Sequence, residues 1–137
     1  MRWLALLAAL VCAGCTTDVG PSPAELKVNW EAQNVLPQGY KQDLLAYMRT
    51  YLNDPSGIRE AGVTQPALKG FGPGQRYIIC VRFNARKTDG KYAGSKEGAA
   101  VFVAGKLDRF FDVPLEVREY CKDAAYAPFP ELEALKR

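Results

Sequence analysis

RYIICVRFNAR, residues 76–86, alternates in the way a strand demands. Successive strand side chains point to opposite faces, so Tyr77, Ile79, Val81, Phe83 and Ala85 share one face. Arg76, Ile78, Cys80, Arg82, Asn84 and Arg86 share the other, which this pattern leaves mostly wet beyond Cys80. A half-buried strand needs a second layer on its apolar face, which the flanking chain must supply.

Downstream, AAVFVAGKLDRFFDV (residues 99–113) begins as a strand, and Ala104-Gly105 turns it into a hairpin returning through Leu107 to Phe111. Between the two strands, KTDGKYAGSKEG (87–98) reads as a long polar connection, with Asp89-Gly90 as its turn signal. Upstream, GFGPGQ (70–75) leads into a strand instead of opening a helix, and Pro73 has no amide N–H. It is therefore expected to be a turn between strands, not a phosphate-cradling loop.

The covering layer is expected from QGYKQDLLAYMRTYLNDP (38–55), where Tyr40, Leu44, Met48, Tyr51 and Leu52 recur at helical spacing and Leu45 widens the stripe. Pro55 disfavours helical dihedrals at Asp54 and ends the helix. From Ile58 the pattern becomes strand-like. LKVNW (26–30) is expected to be a short strand with Leu26, Val28 and Trp30 on one face. The tail, broken by Pro114, Pro128 and Pro130, is expected to be irregular until PELEALK (130–136), a short helix with Pro130 first. The fold class predicted is α+β: an antiparallel meander of about three to five strands with one main helix on one face.

The N-terminus has a different character. Arg2 and the start amine precede an apolar run from Trp3 to Val11. A spanning helix needs roughly 20 apolar residues and a secretory signal about 7–15, so residues 1–14 are expected to be a cleaved signal. The end of the run, Val11-Cys12-Ala13-Gly14-Cys15, resembles the lipobox of bacterial lipoproteins. That resemblance implies acylation of Cys15 and anchoring in a membrane by two or three acyl chains. Thr16, in place of an aspartate, implies the outer membrane. TTDVGPSPA (16–24) has no apolar periodicity and is expected to tether a domain over residues 25–137. An ordinary secretory signal cut after Gly14 is the alternative, leaving a soluble protein with Cys15 as a free thiol.

Without Arg2, the 18 Lys+Arg fall to 17 against 15 Asp+Glu, so the exported chain is close to neutral. With 48% apolar and 24% charged residues it has the composition of an ordinary globular protein, and nucleic acid is not an expected partner. Once Cys12 leaves and Cys15 is acylated, Cys80 and Cys121 remain in a compartment where disulfides persist. A Cys80–Cys121 bond is expected, tying the tail to the strand that carries Cys80; two buried thiols are the alternative.

Catalytic chemistry has little to work with. There is no histidine, hence neither the commonest general base nor the commonest metal ligand. Ser22, Ser56 and Ser95 lack a nucleophile-elbow context. The carboxylate pairs Asp108/Asp112 and Glu116/Glu119 read as solvated charge. No enzymatic activity, cofactor or metal is expected. The polar stretch with functional promise is the basic hairpin, where Arg82, Arg86, Lys87, Lys91 and Lys96 surround Tyr92 with Asp89 as the one acid. Such a surface suits lipid phosphates, an anionic glycan or an acidic envelope protein.

YLNDPSGIREAGV (51–63), YIICVRFNARKTDGKYAGSKEGAAVFV (77–103) and Cys121 together resemble a group of small proteobacterial envelope proteins. Its members share a helix ending in Leu-x-Asp-Pro-x-Ser, a Cys-containing strand, an Asn-Ala-Arg/Lys segment and a Gly-Tyr-x-Gly hairpin, in which Lys91 stands here for the first glycine. The resemblance implies an α+β envelope domain and carries over no catalytic residue. The expected function is a lipid-anchored structural or binding module. A soluble periplasmic small-ligand binder and an atypical hydrolase, using Asp108 with a lysine or serine, are the alternatives.

Overall fold

The computed structural model describes residues 19–137 together with Gly14 and Thr17; the expected signal and the lipidation position Cys15 lie outside the described residues. In chain order the elements are α1 (Pro23–Glu31), α2 (Tyr40–Tyr51), β1 (Asp54–Val63), β2 (Ala67–Phe71), β3 (Gly74–Arg86), β4 (Tyr92–Val103), β5 (Lys106–Phe111), α3 (Pro114–Cys121), β6 (Ala127–Pro128) and α4 (Pro130–Glu133).

The strand expected from residues 76–86 is β3, the centre of a six-stranded antiparallel sheet. Along one edge it pairs with β4, which pairs in turn with β5. The other edge is shared: β2 takes the first half of β3 and β1 the second, and β6 extends β1. The expected α+β class and antiparallel order hold, with six strands and four small helices in place of three to five strands and one main helix. Gly72-Pro73 makes the predicted turn between β2 and β3, with Gly72 at a φ of +61° that glycine tolerates. Ala104-Gly105 closes the predicted β4–β5 hairpin, both residues at positive φ.

The sheet is covered on both faces. On one, Ile79, Val81, Phe83, Ala100 and Phe102 meet Leu44 and Met48 of α2 and Phe129, Leu132 and Leu135 around α4. On the other, Ile78, Cys80, Ala99 and Val101 meet Val117 and Cys121 of α3. The expectation of a wet second face fails along the first half of β3, where Arg76, Ile78 and Cys80 are all buried. The reason is α3, which the prolines of the tail obscured: Pro114 occupies the first turn, where a missing N–H costs nothing, and Val117 and Cys121 lie one turn apart. Cys80 and Cys121 are joined by a disulfide.

Two further expectations are corrected. Residues 26–30 are helical, and α1 begins at Pro23, inside the stretch expected to be tether. Ser22 caps it: its hydroxyl accepts from Glu25 N–H while the Glu25 carboxylate accepts from Ser22 N–H. This reciprocal cap with Pro23 at the first turn outweighs the weak alternation of Leu26, Val28 and Trp30. The polar connection is also shorter than expected, because β4 starts at Tyr92 and leaves 87–91 as the link. Ala93 to Glu97 are exposed strand residues.

Helix α1 buries no residue of its own. It is held through Arg76, whose guanidinium lies 3.8 Å from the Trp30 ring centroid and donates to the Trp30 carbonyl, to Gln33 Oε1 at 2.9 Å and to Asn34 Oδ1 at 3.2 Å. Trp30 Nε1 and Asn34 Nδ2 both donate to the Gln75 carbonyl. Gly72 makes room, because a Cβ there would stand 2.8 Å from the Trp30 ring.

Candidate functional site

The basic surface expected around Tyr92 is divided by the sheet. Directly opposed residues of antiparallel strands share a face, so Lys96, opposite Phe83, belongs to the α2 face, and Arg82, opposite Glu97, to the α3 face. Arg86 joins a cluster built on Tyr92: its Nε donates to the Tyr92 hydroxyl at 3.4 Å, and that hydroxyl donates to the Gly57 carbonyl at 2.7 Å. Arg59, which the sequence did not suggest, lies 4.0 Å from the Tyr92 ring centroid. Gly57, at a φ of +66°, fits under Arg86, whose guanidinium would be 2.7 Å from an added Cβ. Lys87 pairs with Asp89 at 3.9 Å, and Lys91 N–H donates to the Asp89 carboxylate. Arg86 and Lys87 are thus engaged within the hairpin, and the six expected residues do not form one patch.

Two of them, Arg82 and Lys96, instead line an open cleft of about 710 Å³ between α3 and the outer end of β3–β4. The helical wall presents Arg118 and Lys122, which stand one turn apart, beside Val117 and Cys121. On the sheet wall, Arg82 lies 4.8 Å from the ring centroid of Tyr126, and Gly62 lets these two side chains approach, since a Cβ there would meet both. Lys96 and Asp112 border the cleft from the side of the other face. The site is hidden in the sequence because the prolines of the tail disguise α3 as irregular chain. The signal present was the pairing of Val117/Cys121 with Arg118/Lys122, two offset rows at helical spacing behind Pro114.

The cleft's carboxylates are occupied by phenols, not cations. Tyr126 Oη donates to Glu97 Oε2 at 2.5 Å, and Tyr51 Oη donates to Asp112 Oδ2 at 2.5 Å. Burial, reinforced by these hydrogen bonds, pushes both phenols well above the usual tyrosine range. Both are protonated donors at neutral pH, as a phenol is even at its ordinary pKa. Among the described residues, Arg82, Lys96, Arg118 and Lys122 make no ion pair within 4.0 Å. The cleft is cationic with its acids already engaged, an arrangement suited to binding an anion.

Groups considered for catalysis are spread out. Ser56 Oγ donates to Asp54 Oδ1 at 2.6 Å, Ser22 caps α1, and Ser95 lines the cleft. Asp108 pairs with Arg109 at 3.4 Å and does not line the cleft. Among the described residues, no group of three or more Cys, Asp or Glu side chains could hold a metal ion, and no helix is long and apolar enough to cross a membrane. Comparison with protein-family models, with curated proteins and with solved structures finds no match.

Proposed function

We propose that this chain is a lipid-anchored bacterial cell-envelope protein, acylated at Cys15 and facing the periplasm from the outer membrane, that binds an anionic partner and performs no catalysis. The anionic partner is supported by one observation above the rest: the cleft gathers cations from a strand and a helix while tyrosine hydroxyls occupy its carboxylates. The anchor is supported by the lipobox-like end of the N-terminal apolar run. From Cys15 to the cap residue Ser22 is seven residue steps, a reach of at most about 25 Å. Beyond Ser22, α1 is fastened to the domain through Arg76, so the domain would stay within that reach of the bilayer.

The test of the anchor is the intact mass of the protein isolated from its native membrane, beside a Cys15→Ser variant. The expected mass is residues 15–137 plus two or three acyl chains, absent from the variant. An unmodified mass would favour the second reading, a soluble periplasmic binder of a small ligand, which the cleft volume also suits. Partner binding is tested by melting temperature: anionic glycans or anionic lipid nanodiscs are expected to raise it at low salt and lose that effect at 0.5 M salt, roughly where screening sets in within a few ångströms. Equal effects from neutral counterparts would argue against an anionic partner.

A further inference from the structure

We propose that the cleft between α3 and the β3–β4 face binds a phosphate monoester carrying a compact apolar body, its phosphate held between Arg82 on the sheet and Arg118 and Lys122 on the helix. This rests on the anionic-partner reading and narrows it to one site and one chemistry.

The charge balance argues for a dianion. Inside the cleft Arg82, Arg118 and Lys122 face the single carboxylate of Glu97; with the bordering pair Lys96 and Asp112 added, the excess remains two positive charges. A phosphate monoester carries about −1.5 to −2 at neutral pH, whereas a carboxylate or a sulfate ester leaves one positive charge uncompensated. Two guanidinium groups also suit a ligand with three acceptor oxygens, because each can donate a parallel pair of hydrogen bonds. Arg82 is held in place for this by Tyr126. Glu97 is directly opposite Arg82, yet its carboxylate is taken up by the Tyr126 hydroxyl, which leaves the guanidinium edge without an ion-pair partner.

The apolar body follows from the remaining lining. Pro114, Val117, Ala124 and Cys121 give the cleft an oily side behind its cations. A volume near 710 Å³ fits a compact molecule, and a bare phosphate would leave most of that surface wet. Lipid phosphates and soluble phosphorylated metabolites share this chemistry.

The experiment is calorimetric titration of the mature full-length protein in nonionic detergent with phenyl phosphate, benzenesulfonate and inorganic phosphate. Phenyl phosphate is expected to bind most tightly. Combined Arg118→Gln and Lys122→Gln substitution, at exposed positions, is expected to weaken it at least about tenfold with an unchanged melting temperature. Lys87→Gln with Lys91→Gln should leave it within about twofold. Loss of binding in the hairpin variant instead of the cleft variant would overturn the cleft assignment while leaving an anionic partner in place. Equal affinity for benzenesulfonate would overturn the dianion. Absence of phenyl phosphate binding in a protein that still responds to anionic glycans or nanodiscs would sink this inference alone, and absence of every response would sink both. Tighter binding of dibutanoyl phosphatidic acid than of glycerol 3-phosphate would assign the phosphate to a lipid, and the reverse order to a soluble metabolite.

Discussion

Arg76 shows how much one side chain can decide. The residue is 2% exposed, its Nε has no hydrogen-bond partner, and burial draws its pKa down. That cost is offset by three acceptors and a tryptophan face, all supplied by α1 and the residues just after it. Arg76→Met keeps the volume and removes every polar contact. It leaves three part-buried acceptors short of a donor, so the expected loss is about 1–3 kcal/mol. Trp30 should lose its packing on Phe71 and emit further to the red. A variant with normal emission and an unchanged urea midpoint would show that α1 is held by something else. The sequence places Arg76 on the right face of a strand but cannot show its burial, because the burial comes from residues more than forty positions away.

At the scale of elements, legibility followed how locally each element is stabilised. Strand β3 and helix α2 carry their own apolar periodicity and were readable. Helix α1 has no apolar stripe, and its readable signal was chemical: Ser22, Pro23 and Glu25 spell a cap. The first half of β4 is polar on both faces and is a strand because β3 pairs with it. The cleft was legible only to the extent that its helix was. Two element-scale tests follow. Gly98 lies under the Phe110 ring of the neighbouring strand, where an added Cβ would stand 2.1 Å from Cζ. Gly98→Ala should therefore cost about 1–3 kcal/mol in urea unfolding, and adding Phe110→Leu should recover part of it; additive losses would deny the contact. Helix α3 is fastened by Val117 and by the disulfide closing a separation of 41 residues. Cys80→Ala with Cys121→Ala should lower stability by about 4 kcal/mol in the chain-entropy view. Hydrogen exchange should rise first in α3; uniform exchange across the sheet would place the effect elsewhere.

Across the whole molecule, the same device recurs on the two covered faces, a tyrosine donating to a carboxylate. Tyr51 on α2 meets Asp112 beyond β5, and Tyr126 before β6 meets Glu97 on β4. Burial is the largest cause raising both phenols, with the carboxylate hydrogen bond second, and burial also raises Tyr47 and Tyr120. The folded state therefore keeps protons that the unfolded chain gives up near pH 10. The linkage slope is negative there: stability is full below about pH 10 and is lost as pH rises toward the folded values. Tyrosinate absorbance at 295 nm should consequently lag for these groups and appear together with loss of the far-ultraviolet strand signal. Tyr51→Phe with Tyr126→Phe removes two hydrogen bonds, each contributing about 1 kcal/mol at neutral pH, and should flatten the alkaline decline. An unchanged slope would mean that the phenols are not protected by the fold.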